Sequence, residues 1–232
     1  MYKVELKKWR KIAFLFIIIG PFQYIIFTAI AMGFYAGGTF KNPNTIGYSF
    51  WQNFFSDLGR TIALSGRTNI ISFLIFTISA LILASSLIFF IIAMPILFKS
   101  DKLQFNLAQV NIVIGILAGF FMFCVIFTPW NLFPTVHMTF SKLFSFTSLI
   151  VLILFSVLIL KNKTYPNIYG YLYFLIILLA LINTLIVAFG PSITNSDGLF
   201  LQATTQKVSQ YSWLICFMIQ GFGSLKLINA SF

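Results

Sequence analysis

Residues 68–98 read TNIISFLIFTISALILASSLIFFIIAMPILF, an apolar run without a charged side chain. A helix crosses the hydrocarbon layer of a membrane in about 20 residues, so this run predicts a span that is tilted or projects beyond the bilayer. The whole chain has the same character, since 59% of its 232 residues are hydrophobic, only 8% are charged and the mean hydropathy is +0.97. These values exclude a soluble globular protein.

Five further apolar runs are separated by polar segments rich in turn-forming residues. The sequence therefore predicts an all-α membrane protein, a single polytopic domain over residues 1–232 with six transmembrane helices. We expect the spans at about residues 12–35, 68–98, 106–128, 135–160, 168–190 and 207–229. A cleavable signal peptide is the alternative for the first run, because residues 29–31 resemble a cleavage site. That run is longer than the roughly 7–15 apolar residues of a signal peptide, which favours an uncleaved span.

The basic residues predict how the chain is oriented. Six spans place both termini on one side, which would carry ten lysines and arginines against five (Lys41, Arg60, Arg67, Lys142 and Lys207) on the other. The positive-inside rule then predicts a cell-membrane protein with both termini in the cytoplasm. Because these residues cluster at the ends of apolar runs, the net charge of +11 indicates topology and attraction to anionic lipid, not nucleic-acid binding.

Residues 49–62, between the first two spans, predict a short amphipathic helix that lies at the membrane surface. The apolar side of this helix would carry Phe50, Trp51, Phe54, Phe55, Leu58 and Ile62. The polar side would carry Asn53, Ser56, Asp57 and Arg60. We therefore expect any functional site on the face of the membrane opposite the termini, where this helix lies.

The polar side of the predicted helix supplies candidate binding residues. We interpret Asn53, Ser56, Arg60 and Arg67 as substrate-binding, because the planar fork of arginine suits a phosphate group and the helix would lie at phosphate depth. The alternative for Asp57 and Arg60 is a local surface ion pair, which contributes little to stability.

His137 is the single histidine, one turn into the fourth span at the head of a stripe of Ser141, Ser145 and Ser148. If the protein is an enzyme, Asp57 and His137 are the candidate catalytic couple for proton transfer. The alternative is a histidine at headgroup depth, bonded to water or lipid phosphate. We expect no metal and no cofactor, because catalytic zinc takes three protein ligands and a bis-histidine haem needs two histidines.

Small residues inside the spans predict close helix packing. Ser72, Ser79 and Ser86 recur every seventh residue of the second span, and Gly115 and Gly119 form a Gly-x-x-x-Gly pattern in the third. Such patterns are typical of helix interfaces in membranes, where small side chains let two backbones approach.

Two motifs carry a family resemblance, NFFSDLGRT at residues 53–61 and TPWNLFPTVH at residues 128–137. With the long second span between them, they resemble a family of uncharacterised prokaryotic membrane proteins known as domain of unknown function 998. The resemblance covers most of the chain and implies six helices, with residues 56–59 and 134–137 as signature positions. It implies no reaction. That family is distantly similar to the DRAM, Frag and Sfk group of six-helix membrane proteins, some of which act in lipid remodelling or organisation.

Two functions are therefore open. The first is a protein without catalytic activity that binds or organises lipid through Arg60, Arg67 and the aromatic face. The second is a membrane-embedded enzyme that acts on lipid headgroups with Asp57 and His137, and a short distance between those two side chains would favour it. We expect membrane lipids as partners, with a homo-oligomer as an open alternative, and neither nucleic acid nor a soluble protein.

Overall fold

The computed structural model describes residues 2–230, and six of its helices are long and apolar enough to cross a membrane. In chain order the helices are α1 (Tyr2–Gly33), α2 (Phe55–Leu58), α3 (Ile70–Ala93), α4 (Lys102–Ile126), α5 (Pro134–Lys161), α6 (Asn167–Phe189) and α7 (Ser196–Ala230). A 3₁₀ turn over Met94–Phe98 extends α3. Residues 2–230 contain no β-sheet, only one isolated bridge between Ile62 and Thr68. The predicted fold class is confirmed, and the chain is a multi-pass membrane protein.

The six long helices form a closed ring. Each packs against its neighbours along the chain, and α1 packs against α7 to close it. Aromatic side chains fill the interior: Phe90 lies 5.9 Å from both Phe14 and Phe217, Tyr173 lies 5.9 Å from Phe217, and Phe155 lies 6.1 Å from Tyr173, measured between ring centroids. The interior is therefore apolar and filled by side chains.

The predicted serine seam on α3 is buried. Ser72, Ser79 and Ser86 have no exposed surface, and Ser86 lies against Gly20 of α1, where an added Cβ would meet its hydroxyl. The hydroxyls of Ser79 and Ser86 donate to carbonyl oxygens one turn earlier in the same helix, so they need no partner across the interface. The seam thus lets α1 and α3 approach closely, as predicted.

The glycine pattern of α4 also makes a helix contact. A Cβ on Gly115 would lie 2.6 Å from Ile91 of α3, and one on Gly119 would lie 2.7 Å from Ile88. The branched side chains of α3 therefore fill the space that the two glycines leave, which confirms the predicted close approach.

The helix ends differ from the predicted spans at two places. The four middle spans agree with the prediction to within a few residues, but α1 already begins at Tyr2 and α7 at Ser196. At 35 residues, α7 is about 52 Å long at 1.5 Å per residue, well beyond the roughly 30 Å hydrocarbon layer. Hydropathy identified only the apolar part of α7. The more polar residues before Lys207 are also helical, but helix formation outside the hydrocarbon layer does not require apolar residues.

Residues 34–69 form a layer over one end of the ring, which we call the cap. Its two ends are tied together: the Leu64 N–H donates to the Tyr35 hydroxyl at 3.2 Å, and the Ser65 hydroxyl donates to the Ala36 carbonyl at 2.9 Å. The α4–α5 and α6–α7 loops lie at the same end of the ring, the cap end. The cap therefore joins the end of α1 to the beginning of α3 as a folded unit.

The predicted amphipathic helix over residues 49–62 does not form, because only Phe55–Leu58 is helical. Before this turn, the Ser49 carbonyl accepts from the N–H groups of Gln52 and Asn53, and Phe54 is extended. The Asn53 side chain accepts from the nearby Ser49 N–H, and such a local bond competes with a helix. Each side of the pattern contains buried residues, as Asn53 has no exposed surface and Phe55 is 2% exposed, whereas Trp51 on the apolar side is 52% exposed. This stretch is therefore part of a small folded layer and not a surface helix.

Candidate functional site

The charged groups of the cap end lie in two settings, one buried between the cap and α7 and one exposed on a hairpin of the cap. Asp57 and Lys207 belong to the buried setting, each with 1% of its surface exposed. The hairpin carries Arg67, which is exposed, and Arg60, which is half-buried. His137 lies half-buried at a third position near the beginning of α5.

Asp57 makes its hydrogen bonds with one carboxylate oxygen. Its Oδ2 accepts from the Phe54 N–H at 2.8 Å and from the Asn53 amide at 3.2 Å. Its Oδ1 is buried without a hydrogen-bond partner among residues 2–230. Burial raises the pKa of the Asp57 carboxyl from 3.8 to about 6, against the opposing effects of these two hydrogen bonds and of the Arg60 and Lys207 charges.

Lys207 approaches the same part of the cap from α7. Its ammonium group donates to the Asn53 carbonyl and, at 3.4 Å, to the Ala203 carbonyl of its own helix. Three rings of the cap surround the nitrogen, with centroids 5.2 Å (Phe50), 5.6 Å (Tyr48) and 5.8 Å (Phe55) away. A buried ammonium ion in such a setting is stabilised by the carbonyl dipoles and by the negative faces of the rings.

A single peptide group joins the two buried charges. The peptide between Asn53 and Phe54 offers its carbonyl to Lys207 and its N–H to Asp57. The dipole of that peptide is therefore aligned between a cation and an anion. Because the two side chains bond through the peptide, each charge compensates the other without a direct contact. The arrangement fixes the backbone of the cap against α7.

From the sequence, Lys207 had no role beyond its count among the basic residues opposite the termini, and it was placed at the beginning of the last span. The structure begins α7 at Ser196 instead, and this places Lys207 under the cap. The spacing of Leu199, Ala203 and Lys207 is the signal that was available, because residues four apart share a helix face. The first two are buried with no exposed surface against Phe54 of the cap.

One of the predicted binding residues, Asn53, lies inside the cap layer and not on its surface. The Asn53 amide accepts from the Ser49 N–H at 2.9 Å and donates to the Gly38 carbonyl at 2.9 Å as well as to Asp57. With no exposed surface, its side chain has no room for a substrate, and its role is to hold the cap. Ser56 lies in the helical turn and is half-buried.

Arg60 directly precedes a small hairpin over residues 61–69, and Arg67 lies within it. The Ala63 N–H donates to the Arg67 carbonyl at 2.9 Å, and the Asn69 N–H donates to the Thr61 carbonyl at 2.9 Å. The Arg60 Nε donates to the Ile62 carbonyl at 3.2 Å, and this bond does not use the two terminal nitrogens of the guanidinium group. Arg67 is exposed and Arg60 is half-buried.

Two asparagines hold this hairpin in place. Asn131, from the α4–α5 loop, accepts from the Thr61 N–H at 3.0 Å and donates to the Thr61 hydroxyl at 2.8 Å. Asn69 donates to the Arg60 carbonyl at 2.9 Å and accepts from the Ala36 N–H at 3.1 Å. The backbone that carries both arginines is thus fixed to the α4–α5 loop and to Ala36 at the beginning of the cap.

His137 is not brought to Asp57. Its Nδ1–H donates to the Thr128 carbonyl at 2.7 Å, and its ring stacks on Trp130 at 6.2 Å. From Trp130, ring contacts of 5.8 and 6.0 Å lead through Phe40 to Phe54. Within residues 2–230, no hydrogen bond joins the two predicted catalytic groups. The serine stripe below His137 also has Ser145 exposed, so it does not lie wholly inside the ring.

An apolar cavity within the ring is too small for a substrate. This cavity of about 30 Å³ lies between α3, α4, α5 and α7 and is lined by apolar side chains with Ser148 as their polar exception. Among the described residues, no three of the histidine, cysteine and acidic side chains lie close enough to hold a metal ion.

Chemically, the cap end offers one exposed and one half-buried guanidinium group beside a fixed hairpin, and a buried carboxylate that shares a peptide with a buried ammonium. The first arrangement suits an anion at the membrane surface, and the second suits a proton. No family model, curated protein or solved structure matches this chain.

Proposed function

We propose that this multi-pass membrane protein binds anionic lipid headgroups at its cap end, through Arg60 and Arg67. The observation that carries the proposal is the hairpin itself, whose backbone is fixed by Asn69 and Asn131 while the Arg67 side chain stays exposed. Because the backbone is already fixed, it loses little conformational entropy when its arginines bind a ligand.

The position of the hairpin along the chain supports a ligand at the membrane surface. Its last residue, Asn69, directly precedes α3, so Arg67 lies just before a membrane-crossing helix begins. The end of such a helix lies near the boundary between hydrocarbon and headgroups, where lipid phosphate is found. The resemblance of residues 53–61 to a family distantly related to lipid-organising proteins agrees with this proposal by analogy.

Arginine chemistry gives the proposal a sharp test. We expect the double variant Arg60→Lys, Arg67→Lys to bind a short-chain phosphatidylglycerol about tenfold more weakly, because lysine keeps the charge but loses the fork. The protein would be purified in a neutral detergent and titrated with the lipid, with the dissociation constant as the readout.

Arg10→Lys is the matched control. It also replaces arginine by lysine, but near the beginning of α1, at the end of the helix away from the cap. It should leave the dissociation constant unchanged. Equal lipid binding by the wild-type protein and the double variant would contradict the proposal. An equal loss of affinity in Arg10→Lys would show that any arginine-to-lysine change weakens lipid binding, wherever it lies.

We further propose that the cap end faces away from the cytoplasm, in the cell membrane, with both termini inside. The charge asymmetry of the basic residues supports this orientation. Single cysteines at Asn44 and Asn195, both exposed at the cap end, should react with a membrane-impermeant thiol reagent in intact cells. A cysteine at Lys163, exposed in the α5–α6 turn, should react only after lysis. The reverse pattern would contradict the orientation, and the unmodified protein gives the background labelling.

A further inference from the structure

We propose that Asp57 is a proton-binding site and that its protonation tightens the attachment of the cap to α7. The geometry that carries this inference is the half-satisfied carboxylate: Oδ2 has two donors, whereas Oδ1 is buried without a partner in the described part of the chain. The binding of a proton removes the charge from a carboxyl group that is 1% exposed. This inference does not depend on lipid binding.

Burial makes the closed cap a better proton acceptor than an open one. The closed cap raises the pKa of Asp57 from 3.8 to about 6, mainly because desolvation disfavours the carboxylate. An opened cap would expose the carboxyl group to water and return its pKa to the ordinary value. The closed state therefore binds more protons between about pH 4 and 6, so the stability of closure rises as the pH falls through this window. The same stability is lost as the pH rises through 6.

The neighbouring charged groups do not titrate in this window. Lys207 faces Asp57 from α7, Arg60 follows it in the cap, and Tyr35 and Tyr48 face it from the end of α1 and from the cap. Between pH 4 and 6, lysine and arginine side chains stay cationic and tyrosine side chains stay neutral. The side chains that α3 contributes nearby, Ser72 and Asn69, are neutral and bond to the Leu58 carbonyl. Asp57 is thus the group on which the pH dependence rests.

His137 and Asp197 are further ionisable side chains at the cap end. His137 is the nearer candidate for a pH effect, because histidine ordinarily titrates in mildly acidic solution. Its hydrogen bond goes to Thr128 in its own loop, and it reaches the cap only through the ring of Trp130. A variant at this position therefore separates the two groups experimentally.

Hydrogen exchange of the 53–58 backbone measures closure directly, because the Phe54 N–H bonds to Asp57 and the Phe55 N–H bonds to Gln206 of α7. We expect protection in the wild-type protein, corrected for the intrinsic exchange rate at each pH, to be about tenfold higher at pH 5 than at pH 7. Asp57→Asn mimics the neutral carboxyl group, so its protection should be high and the same at both pH values.

Three further variants keep the test decisive. Asp197→Asn removes an exposed carboxylate at the cap end, and His137→Gln removes the histidine; both should retain the tenfold change. Arg60→Gln removes a cation that lowers the pKa of Asp57, so the midpoint of the change should move to higher pH. Protection that is independent of pH in the wild-type protein, or that falls in acid, would overturn the proposal. So would a tenfold change that persists in Asp57→Asn.

Discussion

Lys207→Met is expected to release the cap from α7 while the six spanning helices stay assembled. The substitution keeps the apolar stem that packs among Tyr48, Phe50 and Phe55 but removes the ammonium group. The Asn53 carbonyl then loses a buried donor, and Asp57 loses a nearby cation. Loss of one partner from a buried polar arrangement costs about 2–4 kcal/mol in the free energy of unfolding, here that of the cap.

Protease cleavage within residues 34–69 of the purified protein measures this release, with intact α3–α7 fragments as evidence that the bundle persists. Lys41→Met is the matched control, because Lys41 also links the cap to α7, by a 2.8 Å hydrogen bond to Ser196. That contact is exposed, so its loss should cost at most about 0.5 kcal/mol. Similar cleavage of both variants would contradict the special role of Lys207.

The bundle could be predicted from the sequence because lipid leaves the backbone few choices. A segment such as residues 68–98 must satisfy its backbone hydrogen bonds within itself, so apolar length alone identifies a helix. The packing of α1 on α3 was also predictable in part, since Ser86 and its seam leave space for Gly20. For these elements, the lipid environment requires a helix, and the apolar sequence pattern is enough to predict it.

The cap could not be predicted in this way, because its structure depends on distant residues. Asn53 bonds to Gly38 fifteen positions earlier, and its carbonyl meets Lys207 from the last helix. The amphipathic spacing of residues 49–62 indicates which residues alternate in polarity, but it cannot indicate that Asn53 and Asp57 find buried partners. A polar residue in a pattern is assumed to face water, and here the assumption was wrong.

The candidate site was predicted only in its exposed part. Arg60 and Arg67 were identified by residue type, and their place on a hairpin before α3 keeps them as candidates for headgroup binding. Asp57 and His137 make no hydrogen bond to each other in the described residues. The rings of Trp130 and Phe40 lie between His137 and the part of the cap that holds Asp57. The buried group that shares a peptide with Asp57, Lys207, was not recognised, because the length of the apolar run gave too short a helix for α7.

The second large effect is expected for Gly38→Ala, which should prevent the cap from folding. Gly38 has a φ of +87°, and an added Cβ would lie 2.2 Å from the Ser65 nitrogen and 2.5 Å from the Leu64 carbonyl carbon. Both atoms belong to the backbone of the hairpin, so rotation of a side chain cannot relieve the collision. The Gly38 carbonyl also accepts from the Asn53 amide, which donates to Asp57 as well. A displacement of Gly38 would therefore disturb the surroundings of Asp57.

We expect this substitution to cost about 3 kcal/mol or more, as the sum of left-handed strain and a backbone displacement. Gly66→Ala separates the two contributions, because Gly66 has a φ of +80° but no atom within 4 Å of an added Cβ. That control should cost about 1 kcal/mol, the strain alone. Hydrogen exchange of residues 53–58 gives both values, since an unfolded cap loses its protection. If the two variants were equally stable, the backbone of the hairpin would not lie against Gly38, and the rigid support for Arg60 and Arg67 would be lost with it.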